Sequence, residues 1–323
     1  MLATPTAREI NLLTDLFEDY TFRVVLFGTS IIGACSGGVG CFAYLRKQSL
    51  IGDVISHSSL LGIMVLFLLS YLLTGTGSKS LWILMPGALL AGTSALLLTR
   101  LLFNHTKLKS DTSLGVMLAI FFGSGVMLLR WVQRASDPVI PGRRGLNDYL
   151  FGMAAAMTTD DLWMIGSLAI AATLTLMLCW KEFKIYVFDS TFTHSIGYRT
   201  TLIDNLLLIT LVIAIVIGIQ AVGVVLMIAL LITPASTARQ WTKSLGSMVI
   251  LSAMIGVFSC AVGCTISANY ANMPTGPVIV LVATAIFLFS LLFAPQRGII
   301  ARALARRKYS LSIDRHQPSE EVI

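Results

Sequence analysis

Apolar residues run through this chain in long blocks separated by short polar stretches, and nine such blocks are legible, at about 22–45, 55–74, 82–103, 113–132, 162–180, 203–219, 221–236, 245–268 and 276–294. A helix needs roughly 20 apolar residues to cross a hydrocarbon core about 30 Å thick. The pattern therefore predicts an all-α, polytopic membrane protein of about nine transmembrane helices. Only Gln220 separates the sixth and seventh blocks, so a single bent helix there, and eight in all, is the alternative. The organisation expected is an interfacial segment over 1–21, one membrane domain over 22–295, and a basic tail over 296–323.

Charge orients this arrangement. With nine crossings and the N-terminus outside, the inner loops hold Arg46 and Lys47, then Arg100, Lys107 and Lys109, then Lys181, Lys184 and Arg199, then Arg239 and Lys243. The tail adds six more, so 16 of the 23 Lys and Arg fall on the cytoplasmic side, as the positive-inside rule asks. Merging the sixth and seventh blocks would break that pattern, which favours two helices. The 133–161 loop lies outside in this scheme despite three arginines, and its residues 145–157 read as a short interfacial helix.

Composition narrows the class. The chain has 323 residues, 56% apolar and only 12% charged, against about 25% charged in a soluble domain. The first 21 residues are too polar and acidic for a signal peptide. The net charge of +7 sits between membrane segments, which excludes a nucleic-acid partner as its explanation. Five cysteines (Cys35, Cys41, Cys179, Cys260, Cys264) lie in or beside apolar runs and read as small packing groups rather than a disulfide framework. No phosphate loop is present, since GTGSKS (75–80) lacks the Gly-Lys adjacency.

The chemistry concentrates in LRKQSLIGDVISHSSLLG (45–62). A titratable side chain inside a membrane helix costs a few kcal/mol and needs a reason to be there. Asp53 and His57 are four apart, hence on one helix face. A carboxylate plus an imidazole suits Mn²⁺, Fe²⁺ or Zn²⁺, with Ser56 and Ser58 available to orient the ligands. A hydrogen-bonded pair at a helix start, with Asp53 favoured by the dipole, accounts for the same residues without metal. Two further stretches stand out. In VFDSTFTHSIGYRT (187–200), Asp189 can cap a short helix that Gly197 stops, either as a connector or as a face for a soluble partner. In VGVVLMIALLITPASTARQWTKSL (222–245), Pro234 is expected to break the helix near the inner face, with Ser236 and Thr237 satisfying freed backbone groups.

Together with DYLFG (148–152), FDSTFTHSIG (188–197) and SANYANMPTGPVIVL (267–281), these stretches resemble the ABC-type metal-ion permeases, the membrane subunits of zinc, manganese and iron importers. The resemblance covers roughly residues 22–295. It implies that Asp53 and His57 are metal ligands and that the segment around Asp189, His194 and Gly197 (about 186–202) couples to an ATPase subunit. It also matches 234–239, with Pro234, Thr237 and Arg239, to a Pro-Ala-x-x-Ala-Arg signature. Relatives often carry small residues where Thr193 and His194 stand, and an acid where Ala271 and Asn272 stand.

The implied protein is not itself an enzyme. It would be a bacterial inner-membrane permease working with a cytosolic ABC ATPase, an extracytoplasmic metal-binding protein and a second permease subunit. It would hold no permanent cofactor and move a divalent cation. An ABC permease for a siderophore or cobalamin chelate would have no need of an Asp–His pair. A proton-coupled secondary transporter usually holds several intramembrane acids, and a membrane enzyme would require a second cluster of acids or histidines.

Overall fold

A computed structural model describes residues 19–46, 50–75, 80–134, 157–270 and 273–295, with positions 77, 146, 152, 154 and 298. The expectations for 1–18, for most of 145–157, for Ala271 and Asn272, and for nearly all of the tail fall outside these residues. No strand occurs among the described residues. The helices, in chain order, are α1 (Tyr20–Leu45), α2 (Leu50–Thr74), α3 (Leu81–His105), α4 (Ser110–Arg134), α5 (Thr159–Leu178), α6 (Trp180–Phe188), α7 (Ser190–Ser195), α8 (Thr200–Val222), α9 (Val224–Trp241), α10 (Leu245–Asn269) and α11 (Thr275–Phe293).

Local signals set several starts. Asp19 accepts from the Thr21 amide at 2.9 Å to open α1. Thr158 and Asp161 form a reciprocal capping box at α5, at 3.3 and 3.0 Å. Ser244 accepts from the Ser247 amide at 3.3 Å to open α10.

Eight of these helices are long and apolar enough to cross a membrane among the described residues. The seventh block is α9, an 18-residue helix in its own right. It is separated from α8 as the two-helix reading requires, but the break falls at Gly223 rather than Gln220. Gly223 has φ of 88°, a backbone conformation that side chains with a Cβ rarely adopt. Gln220 stays within α8 because nothing in its backbone chemistry ends a helix. Pro234 does not break α9, which runs on to Trp241. Ser236 and Thr237 donate to the Thr233 carbonyl at 2.9 and 2.8 Å, not to the Leu230 carbonyl that a residue-234 amide would have met.

The bundle is built around α1, with 72% of its span window buried inside the chain, against 28% for α4, α5 and α11. Lipid gives helices no hydrophobic reason to associate, so membrane interfaces rely on small residues that let backbones approach. On α1, Gly33 faces Gly256 of α10, and a methyl group added to Gly33 would stand 2.6 Å from the Gly256 carbonyl oxygen. One turn on, Ser252 of α10 donates to the Gly37 carbonyl at 2.7 Å. Gly62 of α2 and Gly87 of α3 meet in the same way. At one end of the bundle, Phe42 of α1 stands edge-on to Trp180 and Phe183 of α6, each at 6.0 Å between ring centres. All five cysteines are free, and four are buried, consistent with packing.

Gly256→Ala should lower the thermal unfolding midpoint in detergent, since overpacking costs about 1–3 kcal/mol. Gly115→Ala, whose methyl would meet nothing, should leave the midpoint unchanged or slightly raised. Equal midpoints would mean that α1 and α10 separate without penalty.

Candidate functional site

Helix α2 presents a partly exposed stripe at Leu50, Asp53, His57, Leu61 and Val65 while its other faces pack inward. Asp53 and His57 are its polar members. They sit on the surface of the chain, not sealed in its core. The His57 ring packs against Phe122 of α4 with centroids 4.5 Å apart and planes at 64°, which limits its rotation. Its Nδ1 is buried yet has no hydrogen-bond partner among the described residues. Ser56 is fully buried, and its hydroxyl likewise lacks a partner there. Ser58 is also buried, but its hydroxyl donates to the Ile55 carbonyl at 3.1 Å within α2. No group of three or more His, Cys, Asp or Glu gathers as metal ligands would among the described residues. Among the described residues Asp53 and His57 thus stand as a pair without a third such side chain beside them.

The 187–200 stretch folds largely as its residues suggest. Asp189 Oδ1 accepts from the Phe192 amide at 2.8 Å and caps α7. At the other end, Gly197 has φ of 91°, its amide donates to the His194 carbonyl at 3.0 Å, and the Tyr198 amide reaches back to the Thr193 carbonyl at 3.3 Å. This is a Schellman closure, which uses otherwise unpaired carbonyls and favours glycine at the left-handed position. Thr193 is buried, with its hydroxyl donating to the Asp189 carbonyl at 2.7 Å, while His194 is exposed. Phe192 and the C-cap residue Ile196, four apart, are exposed and give α7 an uncovered apolar edge, and Phe188, at the end of α6 beyond the extended Asp189, is exposed as well. In α9, Thr237 is buried and Arg239 lies in the last turn.

Sequence reasoning missed a third cluster, which joins helices far apart in the chain. Asp204, one turn into α8, takes Arg46 from the end of α1 at 2.5 Å and Arg100 from α3. Arg100 also donates to Asn205. The Arg46 guanidinium lies over the Tyr186 ring, 5.4 Å from its centre. On α6, burial and then the Asp204 carboxylate push the Tyr186 phenol above its ordinary range, against the pull of Arg46, so it stays protonated at neutral pH. The signal was present: Asp204 is an acid just inside an apolar block, the criterion that picked out Asp53. Arg46 and Arg100 were weighed only as topology charges.

Asp204→Asn should leave two guanidiniums without their shared carboxylate and cost about 1–3 kcal/mol, less than for a fully sealed pair because both arginines keep some exposure. Adding Arg46→Met should recover part of the loss by removing one unpaired cation. Differential scanning of the two variants in detergent checks this, and an unchanged midpoint for Asp204→Asn would rule the cluster out as a structural tie.

Comparison with known proteins places this architecture. Residues 18–294 match the model of the ABC 3 transport family. The zinc transport system membrane protein TroC of Treponema pallidum is 41% identical over 302 residues, covering 94% of this chain and 98% of the relative. The manganese transport system membrane protein MntC of Bacillus subtilis is 39% identical over 293 residues, covering 91% of this chain and 65% of the relative. Among solved structures, PsaBC from Streptococcus pneumoniae in complex with Fab aligns with a TM-score of 0.77 at 29% identity, covering 92% of this chain and 99% of that one. The chain is thus a multi-pass bacterial membrane protein that belongs to the ABC 3 transport family.

Proposed function

We propose that this chain is the permease subunit of an ABC importer that carries a divalent transition-metal cation, Mn²⁺ or Zn²⁺ in the first instance, into the cytoplasm. Relatives named for zinc and manganese transport support the class. The observation that carries the substrate is the pair on the open stripe of α2. A carboxylate and an imidazole inside a span are costly against lipid, and such groups face a protein interior or a water-filled path. The stripe therefore faces a second permease subunit, identical or paralogous, across the translocation path. Two such faces supply two carboxylates and two imidazoles, a donor set suited to Mn²⁺, Fe²⁺ and Zn²⁺ alike. Neither the His57 Nδ1 nor the Ser56 hydroxyl is committed to a partner among the described residues, so neither is spent on holding the fold.

The same reading extends to the rest of the cycle. The N-terminus lies outside, the end of the bundle bearing α7 is cytoplasmic, and α9 makes the ninth crossing. A cytosolic ATPase binds the apolar edge of α7, and ATP hydrolysis there moves α7 together with α8, which begins at Thr200 a few residues on. An extracytoplasmic metal-binding protein delivers the cation to the opposite face. A proton-coupled transporter has less to work with, because Asp204 of α8 is already committed to two arginines.

Asp53→Ala and His57→Ala should each abolish uptake of labelled Mn²⁺ or Zn²⁺ at unchanged membrane abundance, and Ser56→Ala should reduce it by about tenfold. Full uptake by either ligand variant would sink the metal path. Separately, cysteines placed singly at 189–196 should cross-link to the co-purified ATPase subunit and to no extracytoplasmic protein. Cross-linking on the outer face instead would reverse the orientation.

A further inference from the structure

Two adjoining spaces lie along α3 and α8 at the end of the bundle that carries α7. The first is a polar cavity of about 470 Å³ that holds Arg46 and Arg100 against the single carboxylate of Asp204, with hydroxyls from Thr99, Tyr186 and Thr200. Its mouth is flanked by Asn104 and Ser110, the two ends of a connection that carries Lys107 and Lys109 ahead of Asp111. The second is a groove of about 380 Å³ between α3 and α8, walled by Leu97, Ile209 and Val212. Leu97 and Ile209 are exposed, so the groove opens on the outside of the helix bundle. Leu96, Arg100 and Leu208 line both spaces, and Arg100 stands at the junction.

A cationic cavity at the membrane boundary that continues into an apolar groove within a span has the shape and polarity of an amphiphile. Two guanidiniums face one carboxylate, leaving an excess positive charge. The guanidinium fork matches the paired oxygens of a phosphate, and basic pockets between membrane helices accept anionic lipid headgroups. We propose that this site binds an anionic glycerophospholipid. Its phosphate is held by the N–H groups of Arg100 and Arg46 that Asp204 and Asn205 leave free, with help from the Thr200 hydroxyl, and one acyl chain lies in the groove between α3 and α8. The lipid then sits against Asp204, beside the helix that follows α7, and its occupancy bears on how α3 and α8 are held together.

The full chain, purified in a neutral detergent, should be titrated with phosphatidylglycerol, phosphatidylcholine and inorganic phosphate, and binding read by native mass spectrometry and by thermal unfolding. Phosphatidylglycerol should bind at one molecule per chain and raise the unfolding midpoint by several degrees, while phosphatidylcholine and phosphate should do neither. Arg100→Gln should weaken phosphatidylglycerol binding by about fivefold. Ile209→Trp, which fills the groove and leaves every ion pair intact, should weaken it too, and so keeps the test open if Arg100→Gln does not fold. Equal binding of the two lipids would overturn the proposal, as would a shift reproduced by phosphate alone, which would mark a free-anion site. Efficient disulfide formation between two copies bearing Ile209→Cys in lipid bilayers would also overturn it, because the groove would then be covered by a second copy.

Discussion

Everything in this bundle hangs on how closely α1 and α10 can approach. Their backbones meet at Gly33 and Gly256, with Ser252 bonded to the Gly37 carbonyl one turn away. In lipid, that proximity supplies the dispersion contacts and interhelical hydrogen bonds that water would otherwise help to enforce. Once α1 is fixed, α8 and α9 pack on it, and α6 is pinned at its end by the ring contacts of Phe42. The more exposed helices, α4, α5 and α11, have surface left for lipid or for partner chains.

The protein handles charge inside the membrane in two opposite ways. Around Asp204 the charges are answered within the chain, with one carboxylate serving two guanidiniums and knitting α1, α3 and α8. Asp53 and His57 face a different situation: they have each other but no arginine or lysine partner among the described residues, and they stand on an open stripe. Three charges tied across three helices hold those helices together, whereas a pair on one helix ties nothing together. That difference is why the proposed metal path runs along α2.

Much of this was legible in the residues, because membrane spans and helix caps are local properties. Block length gave the helices, and the Asp189 and Gly197 stops of α7 needed only neighbouring backbone groups. The α2 pair followed from its i, i+4 spacing. What escaped was of two kinds. The Arg46–Asp204–Arg100 cluster joins residues more than a hundred positions apart, and no periodicity reveals that. The break after the sixth block is misplaced when polarity alone is read as a stop signal, and the break expected at Pro234 is misplaced when its missing amide hydrogen is read as one. Gln220 tolerates a helix, Gly223 left it through its backbone, and Pro234 was accommodated inside one.

Gly223 divides α8 from α9 with a single residue, so no continuous helical ladder joins the two rods, although Met227 of α9 packs against Gly218 of α8. Bending α8 anywhere between Thr200 and Val222 would stretch its own ladder of hydrogen bonds, each a strong tie where no water can replace it. Turning about φ and ψ at Gly223 breaks no such ladder. Under the coupling proposed above, a push on the α7 end of α8 would re-aim that rod about Gly223 without breaking either ladder, within the limits set by the packing of both helices on α1. One glycine then serves as the joint of the bundle.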